Sequence, residues 1–484
     1  MKLSDLFPPL LFEQTRTAAT ALIRKASQRS CSLADDLIHK IKTARIFKLN
    51  NMTGILLILS FVTLGVISAA GALRNVSHPL PPSTKIYSTD MAMSIIARQQ
   101  GLMNSTKEAG LALQAGITQK AMIAWSAQYG GHPLIYKYII DSADATAAFM
   151  ADTIDDLKLW PLDRLSAGNA LFLSDGGAYD LTLGALRDSI RLNRRNDENG
   201  LWYWESYPQW SYLDGMYSLG PFAVLDALST VNGANGSNAS NAEAKIDPDT
   251  AALQDMHLQF QLLWEHCYNS TTGLLVHGYD ASRTAVWADA RNGASGIVWG
   301  RSLGWFMMAL IDTMELLGTG PQAAVWSEPL LAMYQRLAGV VMTFADERTG
   351  CWYQVVDQAG REGNYIESSA SAMFSYALLK GARLGYLSTF DVPRAQKAGR
   401  VAHDFIAREF VIIEEDGTLG WNGTVGVCSL NSTASYDYYI EQPIAYNSVL
   451  GASAFIMSSL EVEHLDSARL TPQGGATRQG VRVR

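Results

Sequence analysis

Among the acids of this chain, Asp214 sits in the most unusual surroundings. In Gly200–Phe222, GLWYWESYPQWSYLDGMYSLGPF, the aromatic residues Trp202, Tyr203, Trp204, Tyr207, Trp210, Tyr212 and Tyr217 crowd around it. Aromatic faces stack on the C–H faces of sugar rings, and Trp210 and Tyr212 are the candidate stacking faces beside the acid. Such rings also solvate a carboxylate poorly, which raises its pKa and keeps a proton on it. A protonated acid in an aromatic cleft suits general-acid work on a carbohydrate. A plainer account fits the same residues: a buried aromatic cluster in which Asp214 caps a helix starting at Gly215.

Four other motifs carry chemistry-bearing side chains. WPLDRLSAGNAL (160–171) sets Asp163 just before a helix, where it could equally be a cap. GLLVHGYD (273–280) offers His277 and Asp280 on a loop, and a loop histidine is more often structural than catalytic. WGRSLGW (299–305) holds Arg301 between Trp299 and Trp305, an arrangement suited to gripping a carboxylate and stacking a ring, or to an ordinary ion pair. GCWYQVVDQAGREGNYIESSASAM (350–373) contributes Tyr353, Gln354, Asp357 and Glu367, and its small residues suit close helix packing. Each motif lies near a helix start or an inter-helix loop, so their coincidence says more than any one of them.

The elements that must position these residues are helices. Apolar residues recur at three- and four-residue spacing over Ile135–Met150, Leu181–Leu192, Ala251–Tyr268, Leu303–Leu317, Leu330–Phe344, Ala370–Leu384 and Ala395–Ile406. No long run alternates with period two, which argues against a substantial sheet. Helix pairs joined by Gly- and Trp-rich loops, roughly six of them between Ile86 and Leu460, predict an all-α (α/α)6 barrel with its loops gathered at one mouth. Residues 231–246 read as an exposed polar insertion and 461–484 as a disordered tail.

The chain of 484 residues is 48% hydrophobic, 17% charged and carries a formal net charge of −8. That supports a large core and argues against a nucleic-acid partner, because phosphate contacts need clustered Lys and Arg. Met52–Leu73, MTGILLILSFVTLGVISAAGAL, lacks any charge and is long enough to cross a bilayer. Basic residues dominate 1–51, so the positive-inside rule leaves that segment in the cytosol. Residues 74–85 then form a linker, and the body from 86 to 460 lies across the membrane, as in a type II protein at the cell surface or in the secretory pathway. A cleaved signal peptide is the competing reading. The sequons at Asn75, Asn104, Asn235, Asn238, Asn269, Asn422 and Asn431 fit either route. Cys267, Cys351 and Cys428 support one disulfide at most beyond the membrane segment.

WSYLDGMYSLGPF, HGYD with VWGRSLGWFMMAL, and YQVVD…NYIESSASAMFSYALLKGARLG resemble the unsaturated rhamnogalacturonyl hydrolases, glycoside hydrolase family 105, and the related unsaturated glucuronyl hydrolases. The resemblance runs from about Ser88 to Leu460 and implies the same (α/α)6 barrel. It also implies hydrolysis of a lyase-generated oligosaccharide ending in a 4,5-unsaturated uronic acid, by protonation at C4 and addition of water at C5, unlike an ordinary retaining or inverting pair. By motif, Asp214 would be the general acid and base, and Asp163 the second acid that holds its pKa up. His277, Trp299, Arg301 and Trp305 would bind substrate, with Arg301 or His277 facing the uronate. No metal or organic cofactor is expected, and oligomeric state is left open. One departure from the family pattern is Trp204 in a stretch where a histidine is common. Two other classes compete: a different (α/α)6 glycosidase, such as an α-1,6-mannanase using Asp155 and Asp156, and a non-catalytic, membrane-tethered glycan-binding protein.

Overall fold

The computed structural model describes residues 86–106, 108–173, 177–234 and 251–470. The expected anchor over 52–73, its flanking segments and most of the polar insertion lie outside the described residues. Among the described residues, no helix is long and apolar enough to cross a membrane.

A closed ring of helices forms the centre of Ile86–Arg484. Its members are α2 (Leu111–Tyr129), the 3-10 turn Leu162–Gly168, α6 (Gly215–Ala234), α8 (Gly300–Leu317), α10 (Ser368–Arg383) and α13 (Val449–Leu470). Each packs against the next, and α13 returns to α2. Outside the ring lie α1 (Tyr87–Ala97), α3 (Pro133–Phe149), α5 (Asp180–Leu192), α7 (Ala251–Cys267), α9 (Pro321–Val341) and α11 (Asp391–Glu409), with short α4 (Thr153–Leu159) and α12 (Tyr436–Ile440) between main elements. This is the expected (α/α)6 architecture.

The sequence pattern explains the two layers. Helices α8 and α10 are buried along nearly their whole length, because their apolar and small residues run all round the cylinder. Outer helices such as α5 and α11 bury one stripe only. Small residues let the inner helices approach: a Cβ on Gly304 would lie 2.8 Å from Met373 Sδ, and one on Gly300 would lie 2.9 Å from Ala370 Cβ. The small residues of ESSASAM are therefore packing residues, as their composition suggests.

Sheet structure among the described residues is limited to two hairpin-sized pairs, β1 (Trp210–Tyr212) with β2 (Gly278–Asp280) and β3 (Val411–Ile413) with β4 (Leu419–Trp421). Two expectations need correction, and the open question of the cysteines is answered. Asp163 lies within a 3-10 turn and precedes no α-helix. Helix α13 continues ten residues past Leu460, to Leu470, because Glu461 pairs with Arg383 and Glu463 accepts from Ser88. Cys267, Cys351 and Cys428 are buried free thiols, so they form no disulfide with one another.

Candidate active site

The Asp214 and His277 segments meet through β1 and β2. Tyr212 lies opposite Gly278, and the Leu213 amide donates to the His277 carbonyl at 3.0 Å. A Cβ at position 278 would sit 2.4 Å from the Ser211 carbonyl oxygen, so this pairing needs glycine there. It brings His277 Nε2 to 3.3 Å from Asp214 Oδ2, a close contact without hydrogen-bond alignment. The other ring nitrogen, Nδ1, is 2.6 Å from the Tyr439 hydroxyl. Ser302, in the first turn of α8, donates its hydroxyl to the same Asp214 oxygen. Asp214 is left 6% exposed, at the start of α6.

The second acid stands in a different setting. Asp163 is buried in its 3-10 turn, accepts from the Tyr203 hydroxyl, and has the Ser218 hydroxyl 3.4 Å away. Burial lifts its pKa to about 7; the Asp214 charge adds to the lift, while the two hydroxyls and Arg164 oppose it. Arg164 offsets little because its guanidinium donates to Ser189 and the Pro161 carbonyl. The sequence reading expected the lift on Asp214, with Asp163 supporting it. The surroundings lift Asp163 itself, which has no directed cation.

Around these acids lies an aromatic wall. Tyr203 stacks on Tyr212 with ring centroids 4.4 Å apart, and Trp299 lies 4.8 Å from the His277 ring. Trp210 is half-buried at the rim, stacked on Tyr207 at 4.2 Å and edge-on to Trp287 at 5.1 Å. Trp210, Tyr212, Trp299 and His277 are thus brought together with Asp214 and Asp163.

Two predicted binding residues are buried and packed against the scaffold. Arg301 is 1% exposed. It donates through its two Nη atoms to the Val425 and Gly426 carbonyls at 2.6 Å, with its guanidinium over Trp299. In this structure it grips the chain after β4. Trp305 is in the core, one helical turn beyond Arg301 and packed on Tyr217 with centroids 4.5 Å apart. Asp280 also serves the scaffold: it accepts from the Ser282, Thr284 and Ala285 amides and closes the following turn. Gln354 bridges the Trp299 indole and the Tyr439 carbonyl, and Glu367 caps α10 while accepting from the Val425 amide.

Ser302, Tyr203 and Tyr439 escaped the sequence reading as site residues. Ser302 lay inside WGRSLGW, overshadowed by its ionisable neighbour. Tyr203 was visible only as one aromatic among many. Tyr439 offered no signal, because its segment meets His277 only in three dimensions. The Asp155 and Asp156 pair divides between surface and interior: Asp155 is exposed and Asp156 is buried near Arg164. Among the described residues, no cluster of His, Cys, Asp and Glu could hold a metal ion.

A ring of helix hairpins with two buried acids at one mouth defines a six-hairpin glycosidase. The family model for Glycosyl Hydrolase Family 88 matches residues 87–466, and the chain belongs to that family. It is a glycoside hydrolase. The 24.9 kDa protein in the picA locus of Rhizobium radiobacter is 36% identical over 195 residues, 39% of this chain and 82% of that protein. A family 105 glycoside hydrolase from C. acetobutylicum superposes with TM-score 0.64 at 27% identity, over 78% of this chain and 100% of that one. The unsaturated glucuronyl hydrolase of Bacillus sp. GL1 shares the fold, with TM-score 0.56 at 13% identity over 78% of this chain and 96% of its own. The chain is therefore related to the family 105 and unsaturated glucuronyl hydrolases.

Proposed function

We propose that this hydrolase releases a terminal 4,5-unsaturated uronic acid from lyase-generated oligosaccharides, with rhamnogalacturonan fragments of pectin as the first candidates. Asp214 gives its proton to C4 of the vinyl ether, leaving an oxocarbenium ion at C5. Water adds at C5 and returns a proton to the Asp214 carboxylate. The resulting hemiketal opens and the neighbouring sugar departs. The Ser302 hydroxyl fixes the Asp214 carboxyl, His277 carries the contact onward to Tyr439, and Trp210 at the rim offers a face to the leaving sugar.

One observation supports this reading most: two buried acids in mutual electrostatic reach, Asp163 lifted to about 7 and Asp214 held by Ser302 beside His277. A buried acid lifted to about 7 can carry a proton near neutral pH beside the proposed donor. The test is full-length protein mixed with unsaturated rhamnogalacturonan disaccharides, following loss of ultraviolet absorbance from the C4–C5 double bond. Loss of signal is expected with the wild type, slowed roughly 10²–10⁴-fold in Asp214→Asn, the range for a general acid. No loss with any unsaturated uronyl substrate would overturn the reading.

We also propose that residues 52–73 anchor the enzyme with its barrel on the far side of the membrane. Asn104, Asn422 and Asn431 are exposed sequon positions on the barrel. The expected result is a membrane-bound glycoprotein whose barrel is protease-protected in sealed microsomes. Digestion of the barrel in those microsomes would reverse the orientation.

A further inference from the structure

Away from the candidate site, the inner helices enclose a cavity of about 390 Å³. Ser302 and Asp312 lie ten residues apart on α8, which at 1.5 Å per residue separates the two places by about 15 Å along the barrel. The walls of the cavity come from the later turns of α2, α6, α8, α10 and α13.

Three features of this cavity point to a ligand. First, Asn169 lines it at 8% exposure, and neither its Oδ1 nor its Nδ2 finds a partner among the described residues. A buried amide left this way is costly, and a side chain presenting donor and acceptor together matches a molecule that also offers both. Second, Lys120 directs one hydrogen bond to Asp312 at 2.6 Å and sits over the Tyr217 ring, leaving donors for a further acceptor. Lys380, in contrast, is engaged by Asp312, Glu315 and the Tyr376 hydroxyl.

Third, the charges cancel. Lys120, Lys380 and Arg383 face Asp312, Glu315 and Glu461, with Arg383 and Glu461 joined through two hydrogen bonds of 2.7 Å. An ion entering this balanced set would lose hydration without gaining an unpaired counter-charge. A neutral molecule meets no such penalty. Gln128, Tyr376 and His464 add polar edges, and the remaining wall, including Ala124, Leu225 and Met457, is apolar and suits the C–H face of a ring. A cavity of this size that combines apolar wall with polar groups able to orient a ligand suits a small, hydrogen-bonding molecule.

We propose that the end of the barrel opposite the candidate active site binds a neutral, hydroxyl-rich molecule of monosaccharide size, held by the Asn169 amide and Lys120. Bound there, two ligand hydroxyls satisfy the amide by giving and accepting one hydrogen bond each, while a third oxygen accepts from Lys120 Nζ.

The test is calorimetric titration of the full-length protein with rhamnose, galactose and myo-inositol, and with glucuronate as the charged counterpart. At least one neutral probe is expected to bind, with glucuronate at least tenfold weaker. Asn169→Leu and the cavity-filling Ala124→Trp are each expected to weaken that binding at least tenfold, with circular dichroism confirming an intact fold. Trp210→Ala, at the other mouth, is expected to leave it unchanged. Should either variant fail to fold, crystals of the wild type soaked in the neutral probe decide, with density expected against Asn169. Three results would overturn the proposal: no neutral probe binding, binding indifferent to both cavity variants, or binding lost only in Trp210→Ala.

Discussion

Two buried aspartates in one helical ring are driven to opposite states. At the mouth, Asp163 has hydroxyl partners and no directed cation, and burial lifts it to about 7. At the far end, Asp312 is as deeply enclosed, and burial also pushes it upward, but Lys120 and Lys380 overcome that push and hold it at about 2. Burial of a carboxyl therefore does not decide its role. Whether a cation is aimed at it does, and the same fold builds a proton-holding acid at one end and a fixed ion cluster at the other.

The largest break in this contrast should come from Asp312→Asn. Removing that charge leaves Lys120 without its paired carboxylate and Lys380 with Glu315, and such losses cost about 3–5 kcal/mol. Urea unfolding should show that loss, while kcat/KM of the folded fraction stays within about twofold, since distant sites are largely independent. A loss below about 1 kcal/mol, the value for exposed pairs, would show that solvent screens the cluster.

Asp163→Asn should act in the opposite direction on stability. A carboxyl whose folded pKa lies above its unfolded value favours folding below the unfolded pKa, near 4, and loses that advantage as pH rises toward 7. The asparagine cannot ionise, so it should be more stable than wild type at pH 8 by roughly 2–4 kcal/mol, with the difference vanishing near pH 4. Activity should fall in the same variant. A stability difference that does not change with pH would mean Asp163 keeps its charge when buried.

The smallest effects should separate rim from core. Trp210→Ala should raise KM about 5–20-fold with kcat nearly unchanged, because it removes uniform binding of the leaving sugar. Trp305→Phe should leave both constants alone and cost stability by about 1 kcal/mol, as a modest core substitution does. A rise in KM for Trp305→Phe would return that residue to the binding surface.

Much of the scaffold was legible because its signals are local. Helices recur where apolar spacing said they would, with α3, α5 and α7 within about two residues of their expected ends, the usual reach of boundary assignment. Helix α9 begins nine residues before the expected Leu330, because Pro329 in its interior disguises the start. Asp214, His277 and Trp210 could be picked out because reactive residue types lay among aromatics. The burial of Arg301 and Trp305 was not legible: a motif such as WGRSLGW names residues without saying which side of the helix faces the mouth.

By itself, the sequence determined the helical class, the hairpin repeat and the family, and it named the two acids as candidates, since periodicity, loop composition and motif all reside in neighbouring residues. Only the tertiary structure decided that burial lifts Asp163, that Ser302 bonds Asp214 and Tyr439 bonds His277, and that Asp312 is an ion while Asp163 is poised to hold a proton. A pKa depends on what surrounds a group in space, and those surroundings come from helices far apart along the chain.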